Sequence, residues 1–353
     1  MPNQNDYAPI FEYTRGGTPE SLHYGAIAIV NAQGDLLAGV GSPDTVSFMR
    51  SSAKPFQAIP FIEQDGHHHF GLSKKQIALI CASHSGTRKH VRELQKLLRK
   101  VGLQKTMLQC GVHYPFHAKS AEKMRAKNTE PSVYHHNCSG KHSGMLAFAR
   151  LRDWPLTHYL DADHPVQAAI LEAIAAMCDL RSTDIKIGID GCSAPNFAAP
   201  LHNVALGFAR LSDPTGLPKA RAKACTTIFK AMTRYPRMVA GPKRFDSCLM
   251  RVTKGRILAK SGAEGYLGMA VSPGAIEAGS PAMGIAMKIS DGDASNRARG
   301  AVALEVLKQL GALKAEEVTD LQTLGPNRKV NNWRKRIVGE GHPVFSLQAV
   351  ARS

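Results

Sequence analysis

Ser51 and Lys54 stand three residues apart in the run Met49-Arg-Ser-Ser-Ala-Lys-Pro-Phe-Gln57. On a helix, positions i and i+3 are neighbours on one face. A lysine amine beside a serine hydroxyl can take the hydroxyl proton, provided that burial or a second cation keeps the amine neutral. This is the S-x-x-K arrangement of serine acyl transfer. The same spacing also describes a solvated first helical turn, so its meaning depends on the rest of the chain.

Two further elements follow in order. Ser83-His84-Ser85 ends an apolar helical stretch, and Lys260-Ser261-Gly262 ends a strand-like one. Penicillin-recognising serine enzymes carry S-x-x-K, then an S-x-N type element, then K-[T/S]-G on a strand. In such a site the first serine attacks a carbonyl with help from the first lysine. The second serine and lysine tune proton transfer and substrate charge. Taken singly, Ser83 could cap a helix or close a turn, and Lys260 could be a surface residue at a strand end.

A second constellation involves Cys138, Lys141 and Cys192, with His136, His142 and Asp190 close in sequence. Cys138 begins a helix, where backbone amides favour a thiolate. Cys192 follows a strand end, where sites in mixed folds often lie. Two thiolates suit a zinc ion. Two buried structural thiols are the alternative.

The elements that must position these groups follow from local pattern. Residues 23–30 and 36–41 read as a hairpin around the turn at 31–35. A short extended piece around 46–49 delivers Ser51, and Pro55 suits the first turn of a helix over 54–63. Helices are expected over 72–80, with Ser73 as N-cap, and over 87–101, from 137 to about 151, and over 165–178. A short buried strand is expected at 185–189, then helices at 197–211 and 216–232. Strands return at 256–260, 265–271 and 282–289, before a last helix at 293–311. The expected class is α+β: one catalytic domain over 1–353, with an antiparallel sheet from about 9–50 and 256–311 and a mainly helical middle, 54–250.

Composition narrows the partners. The 353 residues can bury a large core. No apolar run is long enough to span a bilayer, so no membrane partner is expected. The start of the sequence lacks a cationic segment followed by an apolar one, and the expected compartment is the cytoplasm. Seven cysteines at irregular spacing, with no C-x-x-C pair, are not a disulfide framework. The formal charge is +17. Its densest run, Arg88, Lys89, Arg92, Lys96, Arg99 and Lys100, interleaves with Val91, Leu94, Leu97, Leu98 and Val101 as the solvated face of an amphipathic helix. Aromatics make up 6% and do not alternate with the basic residues, so no nucleic-acid partner is expected.

Five motifs together carry a resemblance. Arg50-Ser-Ser-Ala-Lys-Pro-Phe-Gln57, Cys81-Ala-Ser-His-Ser-Gly86, His136-Asn-Cys-Ser-Gly-Lys-His142, Asp190-Gly-Cys192 and Lys260-Ser-Gly-Ala-Glu-Gly265 resemble the Rhizobium etli type of L-asparaginase, the class 3 or asparaginase II family. The resemblance runs from about residue 8 to 340. It implies hydrolysis of L-asparagine to L-aspartate and ammonia, a fold akin to serine β-lactamases and glutaminases, and a homodimer. It implies two Ser-Lys tandems, Ser51 with Lys54 and Ser83 with Lys260. It also implies a zinc site at Cys138, Lys141 and Cys192, with Asp190, His142 and Arg50 as expected substrate-binding residues. A lysine ligand must first lose its proton. Ser193 and Ser143 stand where Gly and Ala are commoner in the family. The rivals are a glutaminase or another serine–lysine amidohydrolase of β-lactamase-like type, a hydrolase in which zinc activates water, and a non-enzymatic nucleic-acid binder suggested by the charge, which would bind tightly and with strong salt dependence.

Overall fold

Asn31 makes a turn with its side chain. Its side-chain oxygen accepts the backbone N–H groups of Gln33, Gly34 and Asp35, which closes a hairpin between the strands Thr18–Asn31 and Leu36–Val40. The computed structural model describes residues 6–349. The chain divides into two compact units.

The first unit holds residues up to Ser52, Ala199–Asp213, and Val252 onward. Its core is an antiparallel sheet in the order Arg328–Asn331, Ile337–Pro343, Ala8–Arg15, Thr18–Asn31, Met283–Ile289, Tyr266–Val271, Ile257–Ser261. N-terminal and C-terminal segments therefore share one sheet, as the α+β reading requires. The inner strands Tyr266–Val271 and Met283–Ile289 are buried throughout except at Lys288, and the other residues are apolar or glycine because both faces are covered. The helix Leu201–Ser212 packs on three of these strands and buries Val204, Phe208 and Leu211. Each such side chain contributes about 1.5–3 kcal/mol. This layer fixes the strand Ile257–Ser261, which carries Lys260.

The second unit holds Ala53–Ala198 and Pro214–Arg251, and it is mainly helical. Ser73 forms a capping box with Gln76 and opens the helix Lys74–Ile80. That helix packs against Ser139–Leu151, Arg88–Val101 and Lys219–Arg234. The helix Pro165–Cys178 spans the expected residues, with His164 as its cap.

Three expectations are corrected. Residues 195–200 form a strand, Pro195–Pro200, and the helix begins only at Leu201. Pro200 cannot donate to an intrahelical bond, and it holds the residue before it extended. The strand Lys186–Ile189 is exposed rather than buried, with Ile187 45% and Ile189 71% accessible. The last long helix starts at Arg299, not 293. The Asp293 carboxylate takes the backbone N–H groups of Arg297, Ala298 and Arg299, so residues 293–298 form a loop that caps the helix. Among the described residues, no helix is long and apolar enough to cross a membrane.

Candidate active site

Most of the chemistry singled out in the sequence gathers in the helical unit. Lys54 begins a short helix, Lys54–Gln57, immediately after the tight turn Arg50–Ala53. Its side chain is 1% accessible. Nζ donates to the Ala82 carbonyl at 2.8 Å, to Ser83 Oγ at 2.9 Å and to Cys138 Sγ at 3.2 Å. An ammonium carries three N–H bonds, and three acceptors surround it. With a neutral amine, the Ser83 hydroxyl can instead donate along the same 2.9 Å line.

Ser83 lies just beyond the helix Lys74–Ile80, and its N–H donates to the Val239 carbonyl at 2.9 Å. His84 Nδ1 accepts the Gly86 N–H, so Nε2–H is the donor to Ser139 Oγ at 2.9 Å. The Ser139 hydroxyl passes its own proton on to the His136 carbonyl. Burial first, then repulsion from the neighbouring His90, holds the His84 imidazole far below its ordinary range. His84 is therefore a neutral strut between the Ser83 loop and the helix Ser139–Leu151.

Cys138 caps that helix. Its own N–H is taken by His136 Nδ1 at 3.0 Å. Gly140, one turn in, lets the helix approach Lys74–Ile80 closely, since a Cβ there would lie 2.0 Å from the Leu79 carbonyl oxygen. This is the physical reason for glycine between Ser139 and Lys141. Ser143 satisfies its buried hydroxyl by donating to the Ser139 carbonyl one turn back.

Cys138, Asp190 and Cys192 place one ligand atom each within 4.8 Å of one another. Lys141 Nζ donates to Cys192 Sγ at 3.0 Å, and Cys192 Sγ lies 3.7 Å from Asp190 Oδ2. A hydrogen bond from Cys192 holds the Cys138 thiol well below its ordinary range, with help from Lys54 and Lys141. Cys192 is raised, first by that same pairing with Cys138. Desolvation alone would lower Lys141, but the charges of Cys192, Cys138 and Asp190 outweigh it and raise the amine.

His142 completes the cluster. Burial pushes its imidazole down to about 4. Nδ1 meets the Tyr159 hydroxyl at 2.7 Å, and the Gln109 N–H donates to that same hydroxyl. Nε2 is buried without a conventional hydrogen-bond partner and interacts with the Cys192 thiol. Tyr159 can donate or accept at Nδ1, so His142 can present either an N–H or a lone pair. Two thiols and a carboxylate within reach of one another make a donor set that suits zinc, with His142 beside them.

The loop around Cys192 holds one residue in an unusual backbone conformation. Ser193 has φ +67°, a left-handed conformation that glycine adopts without the steric cost a side chain brings.

Arg50, Ser51 and Lys260 belong to the sheet unit. Arg50 opens the turn in a left-handed conformation, φ +51°, and its Nη1 lies 3.8 Å from Glu264 Oε1. Ser52 Oγ donates to the Lys260 carbonyl at 2.7 Å, which pins the turn bearing Ser51 onto the strand bearing Lys260. Lys260 is fully buried, and its Nζ donates to the Ser261 carbonyl at 2.7 Å.

A family model described as L-asparaginase II matches residues 11–343. The chain belongs to the L-asparaginase II family. As a member it is an amidohydrolase. Among solved structures it is similar to a probable glutaminase from Bacillus subtilis complexed with 6-diazo-5-oxo-L-norleucine, at 14% identity over 82% of this chain and 85% of that one, with a TM-score of 0.39. It is similar at 14% identity to a covalent complex of a Bacillus subtilis glutaminase with 5-oxo-L-norleucine, over 82% and 89% of the two chains, TM-score 0.38. It is also similar to Mglu in its native form, at 14% identity over 83% and 67%, TM-score 0.42. A search of the curated proteins finds no match.

Three supporting residues of this L-asparaginase II chain escape motif reading. Tyr159 orients His142 from a stretch without periodicity, Ser52 hides behind Ser51, and Ser139 acts through His84. Ser52 and Ser139 both lie inside motifs, where their roles are invisible until Lys260 and His84 are placed.

His90 makes a related acid-sensitive contact. Its Nδ1 accepts the Thr87 N–H, so Nε2–H donates to the Arg237 carbonyl at 2.7 Å. Burial pushes the ring down to about 4. Between that value and about 6.5 the unfolded chain binds a proton that the folded chain refuses, so stability is present above the window and is lost as pH falls through it. Urea unfolding at the two ends of this window should show His90→Gln losing about 2 kcal/mol less than the parent on acidification. An unchanged pH slope would remove His90 from this role.

Proposed function

We propose that the chain hydrolyses L-asparagine to L-aspartate and ammonia through an ester on Ser51. The observation that carries this reading is the buried Lys54 amine, hydrogen-bonded to a serine hydroxyl and one helical turn from a second serine. Neutral Lys54 takes the Ser51 proton as Oγ bonds to the side-chain amide carbon. The C–N bond then breaks, and the departing nitrogen takes that proton and leaves as ammonia. Water attacks the β-aspartyl ester, the C–O bond to Ser51 breaks, and Ser51 regains a proton. Ser83 and Lys260 complete the proton relay. Arg50, Asp190 and His142 bind the α-carboxylate and α-amino ends of the substrate. Cys138, Cys192 and Lys141 are the proposed zinc ligands, with Asp190 and His142 at the rim. A zinc ion there would supply fixed positive charge that orients the substrate. A homodimer in the cytoplasm is part of the same proposal.

One observation favours a second reading. Lys54 Nζ is hydrogen-bonded to Ser83 Oγ, so Ser83 could be the attacking group. Ammonia release and intact-protein mass spectrometry decide between them. We expect L-asparagine to exceed L-glutamine in kcat/KM by about tenfold or more, and Ser51→Ala to lower kcat by about 10⁴-fold. The aspartyl adduct should map to Ser51. An adduct on Ser83, with Ser51→Ala fully active, would exchange the two roles. Equal turnover of glutamine would make the chain a broader amidase, and turnover of nitrocefin instead would favour the β-lactamase-like rival.

A further inference from the structure

Nothing in amide hydrolysis calls for a formal charge of +17, and the substrate is net neutral. Part of this charge lines one cavity. A flank of the helix Arg88–Val101 and residues 234–238 border a space of about 430 Å³. Its wall carries Lys89, Arg92, Arg234, Arg237 and Arg251. Among the described residues, none of these five side chains has an ion-pair or hydrogen-bond partner. Lys75 and Lys96 add to them. Lys75 Nζ lies 5.5 Å from the Tyr235 ring centroid, and Lys96 is 3.9 Å from Glu93, the one acid among the lining residues.

Such crowding of like charge is unfavourable, and a bound polyanion relieves it. Four of the five unpaired cations are arginines, whose forked donors match phosphate oxygens two at a time. The volume falls within the range of small-molecule sites. It suits a short chain of phosphates better than an extended duplex. Tyr235 and Met238 give the same wall an apolar patch.

We propose that this cavity binds a compact polyanion bearing two or more linked phosphates, the chemistry shared by nucleoside polyphosphates and short inorganic polyphosphates. The cavity is separate from the cluster around Lys54 and Cys138. It sits on the segment whose next residues, Val239 and Ala240, accept hydrogen bonds from the Ser83 N–H and the Ser85 hydroxyl.

Calorimetric titration of the full chain with sodium tripolyphosphate and with metal-free ATP tests this. The parent is compared with Arg234→Glu/Arg237→Glu and with a charge-matched control, Arg334→Glu/Arg336→Glu, on the sheet unit. We expect the first pair to weaken binding by about tenfold or more and the control by no more than about twofold. Similar affinity for both ligands identifies the phosphate chain as the recognised group, and tighter ATP binding adds the Tyr235 face. Slower hydrogen exchange in a peptide spanning 234–241 should accompany binding, and the milder Arg251→Ala should weaken it if the double variant fails to fold. Absence of binding, or equal loss in both double variants, would overturn the proposal. So would a single-stranded oligonucleotide that binds more tightly than tripolyphosphate and is weakened equally by both pairs, since this marks diffuse surface charge.

Discussion

Lys54→Met should lower kcat for amide hydrolysis by about 10³-fold or more while the chain still folds. Methionine has similar length and is content in an apolar interior, so the packing survives. What disappears is the donor to Ala82, Ser83 and Cys138. Each buried acceptor left without a partner costs about 1–3 kcal/mol. Some of that returns because a thioether is cheaper to bury than an amine. Urea unfolding should therefore report a loss of about 2–4 kcal/mol, and ammonia release should report near-complete inactivity. The Cys138 thiol should also move back up, because one of the cations that lowers it is gone. Iodoacetamide alkylation near neutral pH reads this as a slower reaction. A Lys54→Met variant with kcat within tenfold of the parent would end the role given to this amine.

The second large effect concerns the thiols. Cys138→Ala/Cys192→Ala should reduce bound zinc, measured by elemental mass spectrometry, from about one ion per chain to near zero. Structural sites of this kind bind with about 10–16 kcal/mol, and removing two thiolates leaves a carboxylate, an amine and an imidazole that compete poorly for zinc. Binding to the parent should also release protons. Cys138 is held down while Cys192 and Lys141 are held up, so most of the released protons should come from Cys192 and Lys141. Affinity must then fall as pH falls. Titrations in buffers of different ionisation enthalpy count those protons. Full zinc content in the double variant would place the metal elsewhere or remove it from the molecule's chemistry.

Local signals carried much of the architecture. The spacing of Val166, Ile170, Ile174 and Met177 marks a helix whose ends the structure reproduces, because proline at its start and the apolar stripe act within the segment itself. Ser73 with Gln76 is a capping box readable from residue types alone. Ile337–Pro343 has two glycines and ends in proline. It is a strand because it pairs with Ala8–Arg15, far away in sequence, on one side and with Arg328–Asn331 on the other, so its own residue types do not announce it. The exposure of Ile187 and Ile189 is invisible for the same reason, since an apolar strand looks alike whichever side it presents.

The candidate site was legible where a motif names the reacting atom and illegible where a neighbour holds that atom in place. Lys54, Ser83, Cys138, Lys141 and Cys192 belong to motifs, and the structure links them through 2.9–3.2 Å contacts between Lys54, Ser83 and Cys138 and a 3.0 Å contact between Lys141 and Cys192. Tyr159 is not in a motif. Its role depends on a fold that brings it to His142 and on a backbone amide of Gln109.

The helix that presents the thiol and the lysine is buried without interruption from Ser139 to Ala149. A library randomised across those eleven positions would thus be culled chiefly by degradation of immature chains, long before turnover is ever sampled. Improved catalysts are better sought in the half-exposed loop at Asp190, where variation leaves the scaffold intact.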